Sequence, residues 1–274
     1  MTDLLPPIAM LGVGSMGGAI LRGLVQQGAE RIAVTNRTAE KAAAIQLEGV
    51  ESIALADEPE GNARAVAGAK LVVLGVKPAG IVELAGEIAP HLAADAVVVS
   101  IAAGTTTASI EAALPASVSV VRAMPNTPST VGLGVTGVAG GSRASDDDVA
   151  LVARMFEAVG EVLVLDESQI DALSTISGSG PAYVFLLIEE LTKTAERMGF
   201  TAEQAATMVQ GTFRGATELL AADGSEPAEL RRRVTSPKGT TEQAIGVLQD
   251  ADLGAVFDRA TAAALARAQE LAAG

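Results

Sequence analysis

The 274-residue chain has no cysteine, no tryptophan, a single histidine and only 2% aromatic residues, so its core must be aliphatic. Without thiols it can form no disulfide, thiolate metal centre or cysteine nucleophile, and one histidine excludes a histidine-cluster metal site. A reducing compartment fits such a chain. Basic residues are scarce as well: 19 against 33 acidic ones leave a net charge of −14, a field that repels nucleic acid and anionic lipid. Any anionic ligand must be held by local groups. The longest apolar runs, such as 71–76 and 96–101, are strand-sized rather than bilayer-sized. Residues 1–10 carry Asp3 and Pro6-Pro7 in place of the basic-then-apolar grading of a signal peptide. The expectation is a soluble cytoplasmic protein with neither nucleic acid nor membrane as partner.

The chain is rich in apolar residues (49%) and glycine (29 residues). Through about residue 165, short Val, Ile and Leu runs alternate with Ala-rich segments of helical length, the pattern of parallel strands joined by crossover helices. Strands are predicted at 8–11, 31–35, 71–75, 96–100, 118–122, 135–138 and 162–165. A polar helix is predicted over 145–157, with Ser145 as N-cap and Asp148 in its first turn. Beyond Asp166 only helical patterns remain, broken at 177–180, Gly199, 223–227 and 236–239. The apolar stretch 181–191 and the Ala-rich 261–271 leave more apolar surface than a free-standing helical layer can hide, which predicts a second subunit, the plain alternative being that they pack on the first domain alone.

Directly after the first predicted strand comes Gly12-Val13-Gly14-Ser15-Met16-Gly17, opening a helix: the GxGxxG fingerprint in its strand-to-helix context. Gly12 permits the tight turn, Gly14 lets the backbone approach a pyrophosphate, and Gly17 lets the helix pack close; the anion meets free N–H groups at the helix start. The fold class expected is therefore α/β, with an N-terminal Rossmann-type doubly wound sheet over 1–166 followed by an all-α C-terminal domain over 167–274. At the end of the second strand, where NAD sites place a carboxylate, stand Asn36-Arg37-Thr38. Arg37 can pair a 2′-phosphate, so NADPH is favoured, with NADH as the alternative. Two more loops follow strand ends: Val76-Lys77-Pro78, where Lys77 faces either cofactor or solvent, and 100–104, which contains Ala102 and Gly104. A third, 122–128, brackets Asn126 between two prolines; such rigidity suits a residue aimed at the nicotinamide ribose or carboxamide, and equally a plain structural turn.

In the helical half, Ser177-Gly178-Ser179-Gly180-Pro181 and the run 235–241 each precede a helix and present bare backbone N–H groups. The amides of Gly239, Thr240 and Thr241 suit a small carboxylate, leaving the Thr241 hydroxyl for a neighbouring heteroatom; two ordinary capped helices are the plain reading. Taken together, GVGSMG at 12–17, NRT at 36–38, VKP at 76–78, SIAAG at 100–104, RAMPNTP at 122–128, DALSTISGSGPAY at 171–183 and VTSPKGTT at 234–241 resemble pyrroline-5-carboxylate reductase over nearly the whole chain. That resemblance implies reduction of 1-pyrroline-5-carboxylate to L-proline with NAD(P)H. It also implies a homodimer intertwined through the helical domain, often a decamer of five dimers, with each site shared between one subunit's cofactor domain and its partner's helical loops. It places Val234, Ser236, Gly239, Thr240 and Thr241 on the substrate loop, with the Thr241 hydroxyl at the imine nitrogen. The family usually has glycine at Lys238; lysine there costs about 1 kcal/mol if φ is positive, or adds a positive charge near the acid-binding loop if exposed. The short 223–227 stretch carries over no role for Glu226.

A cyclic imine accepts hydride readily once its nitrogen is protonated, so orientation matters more than a strong catalytic acid. His91, between Pro90 and Leu92, is expected at an exposed helix end. The rival readings are a 3-hydroxyacid dehydrogenase or ketopantoate reductase, which would need a catalytic lysine on a helix of the second domain, and a non-catalytic NADP-binding regulator, which would lose the Thr241 loop.

Overall fold

A computed structural model describes residues 5–273, and in it the aliphatic runs pair into one eight-stranded sheet. The strands are β1 (Ile8–Leu11), β2 (Ile32–Asn36), β3 (Val50–Ala54), β4 (Leu71–Leu74), β5 (Val97–Ser100), β6 (Ser119–Met124), β7 (Gly134–Gly140) and β8 (Gly160–Val164). Their spatial order is β3-β2-β1-β4-β5-β6-β7-β8. Crossovers run through α1 (Ser15–Gln26), α2 (Ala39–Ala43), α3 (Gly61–Val66), α4 (Ile81–Ile88), α5 (Thr107–Glu111) and α6 (Asp146–Phe156). Because strand side chains alternate between faces, two aliphatic cores form. Ile8, Met10, Val34, Val73 and Val99 join Leu21, Leu24 and Phe156 in one, while Ala9, Leu11, Val72, Leu74 and Val98 join Ile81, Ile88 and Ile110 in the other.

Two features depart from the all-parallel pattern read from the sequence. Strand β6 pairs with β7 antiparallel. The connection between them is a 3-10 turn at Thr127–Val131, and a parallel return needs a dozen or more residues. Strand β3 was not foreseen: VESIA buries only Ile53, as an edge strand can. The N-terminus of α6 forms as expected, with Ser145 Oγ accepting from the Asp148 N–H and Asp148 Oδ2 accepting from the Ser145 N–H. Burial pushes the Asp148 carboxyl up, but its bonds from the Ser145 backbone and from the Ser119 and Ser145 hydroxyls outweigh that and hold it below the usual range.

Past β8 the chain is helical: α7 (Glu167–Leu173), one π-helical turn at Ser174–Gly178, α8 (Gly180–Arg197), α9 (Ala202–Asp223), α10 (Pro227–Arg233), α11 (Thr240–Asp250) and α12 (Leu253–Ala273). Among the described residues two compact units result, 5–178 with 264–273, and Ser179–Ala263. Strands cease before Asp166, yet the packing boundary lies at Gly178 because α7 covers β7: a Cβ on Gly137 would sit 3.0 Å from Leu173 and 3.2 Å from Ile170. Within the helical unit, the buried apolar side chains among the described residues are Ala195, Ala205 and Val209. Phe185 is 66% exposed, and Leu186, Leu187 and Leu191 are also open, so one copy of this unit has no core of its own. No helix among the described residues is long and apolar enough to cross a membrane.

Candidate functional site

The strand order reverses between β1 and β4, and a crevice opens there at the strands' C-terminal ends, the place where doubly wound sheets take ligands. Gly12 turns the chain with φ +85°; a Cβ there would lie 2.8 Å from Val76, and one on Gly75 would strike the Gly12 carbonyl. Gly14 is the N-cap of α1 and offers no side-chain bond. A Cβ on it would meet nothing within 4 Å, so its face is open to a ligand. The first intrahelical bond runs from Gly18 N to Gly14 O at 2.8 Å, which leaves the N–H groups of Ser15, Met16 and Gly17 without intrahelical acceptors. Gly17 does not set the close helix packing expected of it, since its Cβ would make ordinary contact at 3.4 Å. Gly23 does: a Cβ there would lie 2.6 Å from the Ala158 carbonyl oxygen.

Asn36, 4% exposed, locks the glycine loop by accepting the Val13 N–H on Oδ1 at 3.2 Å, while its Nδ2 is buried without a partner. Arg37 and Thr38 stand exposed beyond it, and Thr38 Oγ1 caps α2 by accepting the Lys41 N–H. The cavity measures about 770 Å³ and gathers Gly12, Gly14, Asn36, Arg37, Thr38, Val76 and Lys77 along its walls. It also includes Lys41 and Asn62, which the sequence reading missed. Lys41 was legible as a second cation one helical turn past Arg37. Asn62 was not, since only the fold brings it to Thr35, whose hydroxyl donates to its Oδ1 at 2.8 Å. An open glycine face, unpaired helix-start amides, an orphaned buried amide and three cations, Arg37, Lys41 and Lys77, fit a phosphorylated dinucleotide.

The remaining sheet-unit residues expected at the cofactor are not in the cavity wall. Ser15, Met16 and Gly17 form the first turn of α1, Pro78 opens an exposed 3-10 turn, and buried Ala102 and half-buried Gly104 shape the turn after β5. Asn126, 7% exposed, spends both ends of its amide inside the protein instead of reaching outward: Oδ1 accepts the Val135 N–H at 2.8 Å and Nδ2 donates to the Ser177 carbonyl at 2.9 Å.

In the helical unit, Val234, Ser236, Gly239, Thr240 and Thr241 come together between α10 and the start of α11. All but half-buried Gly239 are exposed. Lys238 adopts φ +60° and is exposed, so the two conditions set out as alternatives for it, positive φ and exposure, are met together. Its N–H donates to Glu242 Oε2 at 2.8 Å, and the Gly239 N–H donates to the Ser236 carbonyl at 2.9 Å. Of the three amides expected to grip a carboxylate, Gly239's is thus committed to the turn, leaving Thr240 and Thr241 at the helix tip. His91 ends an exposed 3-10 turn. Lys193, exposed on α8, pairs with Glu189 at 2.5 Å and Glu190 at 2.9 Å, and these bonds hold its ammonium above the usual lysine range, at about 12.

Residues 167–271 match the family model described as pyrroline-5-carboxylate reductase dimerisation, and residues 7–104 match one described as NADP oxidoreductase, coenzyme F420-dependent. The chain is 42% identical over 270 residues to a pyrroline-5-carboxylate reductase of Pseudomonas aeruginosa, covering 97% of each. It superposes on the Coxiella burnetii pyrroline-5-carboxylate reductase with a TM-score of 0.87 at 37% identity, covering 97% of this chain and 98% of that one. A Plasmodium falciparum pyrroline carboxylate reductase solved with NADP bound shares the fold, with a TM-score of 0.81 at 22% identity and coverage of 97% and 98%.

Proposed function

Because the chain belongs to the pyrroline-5-carboxylate reductase family, we propose that two of its loops divide the work, the strand-end cleft holding the cofactor and the tip of α11 holding the imino acid. The reaction is the NAD(P)H-dependent reduction of 1-pyrroline-5-carboxylate to proline, a step of proline biosynthesis, and the chain pairs as a homodimer through its helical region. The open face of Gly14 before the unpaired amides of α1 carries the assignment of the cleft. In this reading Gly12, Gly14, Ser15, Met16 and Gly17 take the pyrophosphate, and Asn36, Arg37 and Thr38, joined by Lys41, take the adenosine ribose and its 2′-phosphate. Val76 and Lys77 line the path toward the nicotinamide, with Pro78, Ala102 and Gly104 shaping the turns that support it. Bound NADPH supplies the hydride.

The chain's own residues do the rest. Thr240 and Thr241 amides fix the substrate carboxylate, Val234 and Ser236 shape the loop, and Gly239 holds its turn. The Thr241 hydroxyl meets the imine nitrogen and stabilises its protonated form, and Lys238 adds attraction for an acidic substrate in a chain of net charge −14. Residues 1–166 serve the cofactor and 167–274 serve pairing and substrate, with each site completed by the partner protomer and five dimers assembled into a decamer. A cytoplasmic setting suits a chain without cysteine. Arg37→Ala tests the cofactor assignment. It should weaken NADPH by about tenfold or more while leaving NADH within about twofold, as read by fluorescence titration; equal losses for both would contradict the 2′-phosphate role.

A further inference from the structure

Two side chains at the end of β6 fasten the segment through which the chain leaves the sheet unit. Arg122, 3% exposed, meets Asp171 Oδ1 at 2.5 Å and Glu167 Oε1 at 3.8 Å. Glu167 in turn accepts from the Thr107 N–H at 2.7 Å and the Thr107 hydroxyl at 2.6 Å, at the start of α5. These bonds hold α7. Four residues beyond Arg122, Asn126 holds the turn that succeeds α7. Its Nδ2 donates to the carbonyl of Ser177, which lies in the π-helical turn Ser174–Gly178. Single π turns are rare and gather at functional sites, because they shift carbonyls out of the regular ladder and need partners from outside it. Here Asn126 is that partner. The turn is also tight: a Cβ on Gly178 would lie 2.9 Å from Ser174 Oγ. Ser177 opens the Ser177-Gly178-Ser179-Gly180-Pro181 motif from which α8 starts, a motif that neither the cofactor cleft nor the α11 loop uses.

We propose that Asn126 is a positioning residue: by holding the Ser177 carbonyl it keeps the Ser177–Pro181 turn in the one conformation that turnover of the imino acid requires, and it is not a ligand of the cofactor. The proposal rests on the reductase reading for the reaction that is assayed. It differs from the sequence reading that aimed the same amide at the nicotinamide ribose or carboxamide, and goes beyond the other, a plain structural turn.

Asn126→Asp isolates the interaction. The new side chain has the same shape and still accepts the Val135 N–H, but it turns an oxygen instead of a donor toward the Ser177 carbonyl. In the full-length homodimer, kcat with pyrroline-5-carboxylate should fall by about tenfold or more, the scale of one lost buried hydrogen bond plus repulsion. The NADPH dissociation constant, titrated by fluorescence without substrate, should stay within about twofold. Asn126→Ser, which removes both ends of the amide without adding charge, gives the same split should the aspartate variant fail to fold. A parallel loss in NADPH affinity would overturn the proposal in favour of a cofactor contact. Unchanged kcat in a folded variant would overturn it by showing that the clamp only adds stability. Wild-type turnover measured alongside tests the reductase reading separately, since the NADPH titration does not depend on it.

Discussion

Lys238 holds a backbone conformation that costs an L-residue with a side chain about 1 kcal/mol relative to glycine, and it does so at φ +60° beside the loop given to the substrate. The turn survives because Glu242 captures the Lys238 N–H from the first turn of α11. Lys238→Gly should therefore stabilise the protein, raising Tm by about 2–4 °C at fixed protomer concentration; an unchanged or lower Tm in matched thermal scans would show that the lysine side chain offsets the strain. The need for positive φ was legible from the glycine that the family places there. The Glu242 bond was not, because the residue at the N-cap is Gly239, and the Ser or Thr that normally announces a reciprocal cap is missing.

Among the elements, α1 opens onto the strand-end cleft, and its seat depends on Gly23. An added methyl there meets the Ala158 carbonyl oxygen at 2.6 Å and Val159 Cγ1 at 2.6 Å, and a backbone oxygen cannot rotate aside. Gly23→Ala should destabilise the protein by about 1–3 kcal/mol, checked by urea unfolding; a stability within about 0.5 kcal/mol of wild type would mean that α1 can shift without penalty. Strands with unbroken aliphatic runs, such as Leu71–Leu74 and Val97–Ser100, were legible to within a residue or so because both faces are buried. Edge strand β3 buries one side chain of five and so lacks that signal. The antiparallel turn of β7 was hidden for a different reason: direction is set by the length of the link from β6, and the Val and Ala of β7 carry no mark of it. The glycine loop and the Asn36-Arg37-Thr38 rim were likewise legible because local sequence makes them, whereas Asn62 and the bond from Asn126 to Ser177 join positions far apart in the chain.

At the scale of the whole molecule, the two compact units meet different demands. The sheet unit is closed by two aliphatic cores and needs no partner to hide them. The helical unit leaves Phe185, Leu186, Leu187 and Leu191 open in one copy, and the matched dimerisation region explains what covers such a surface. The need for a cover was legible in the apolar stretch 181–191 and the Ala-rich 261–271, with a second subunit or the first domain as the two ways to supply it. The division of labour between the units is the centre of the account, and Thr241→Val tests it most directly by removing one hydroxyl while keeping the shape of the α11 tip. The account predicts that kcat/KM for pyrroline-5-carboxylate drops by about 10–100-fold while NADPH binds as before. Catalytic efficiency within about twofold of wild type, or a loss that falls equally on NADPH affinity, would contradict it.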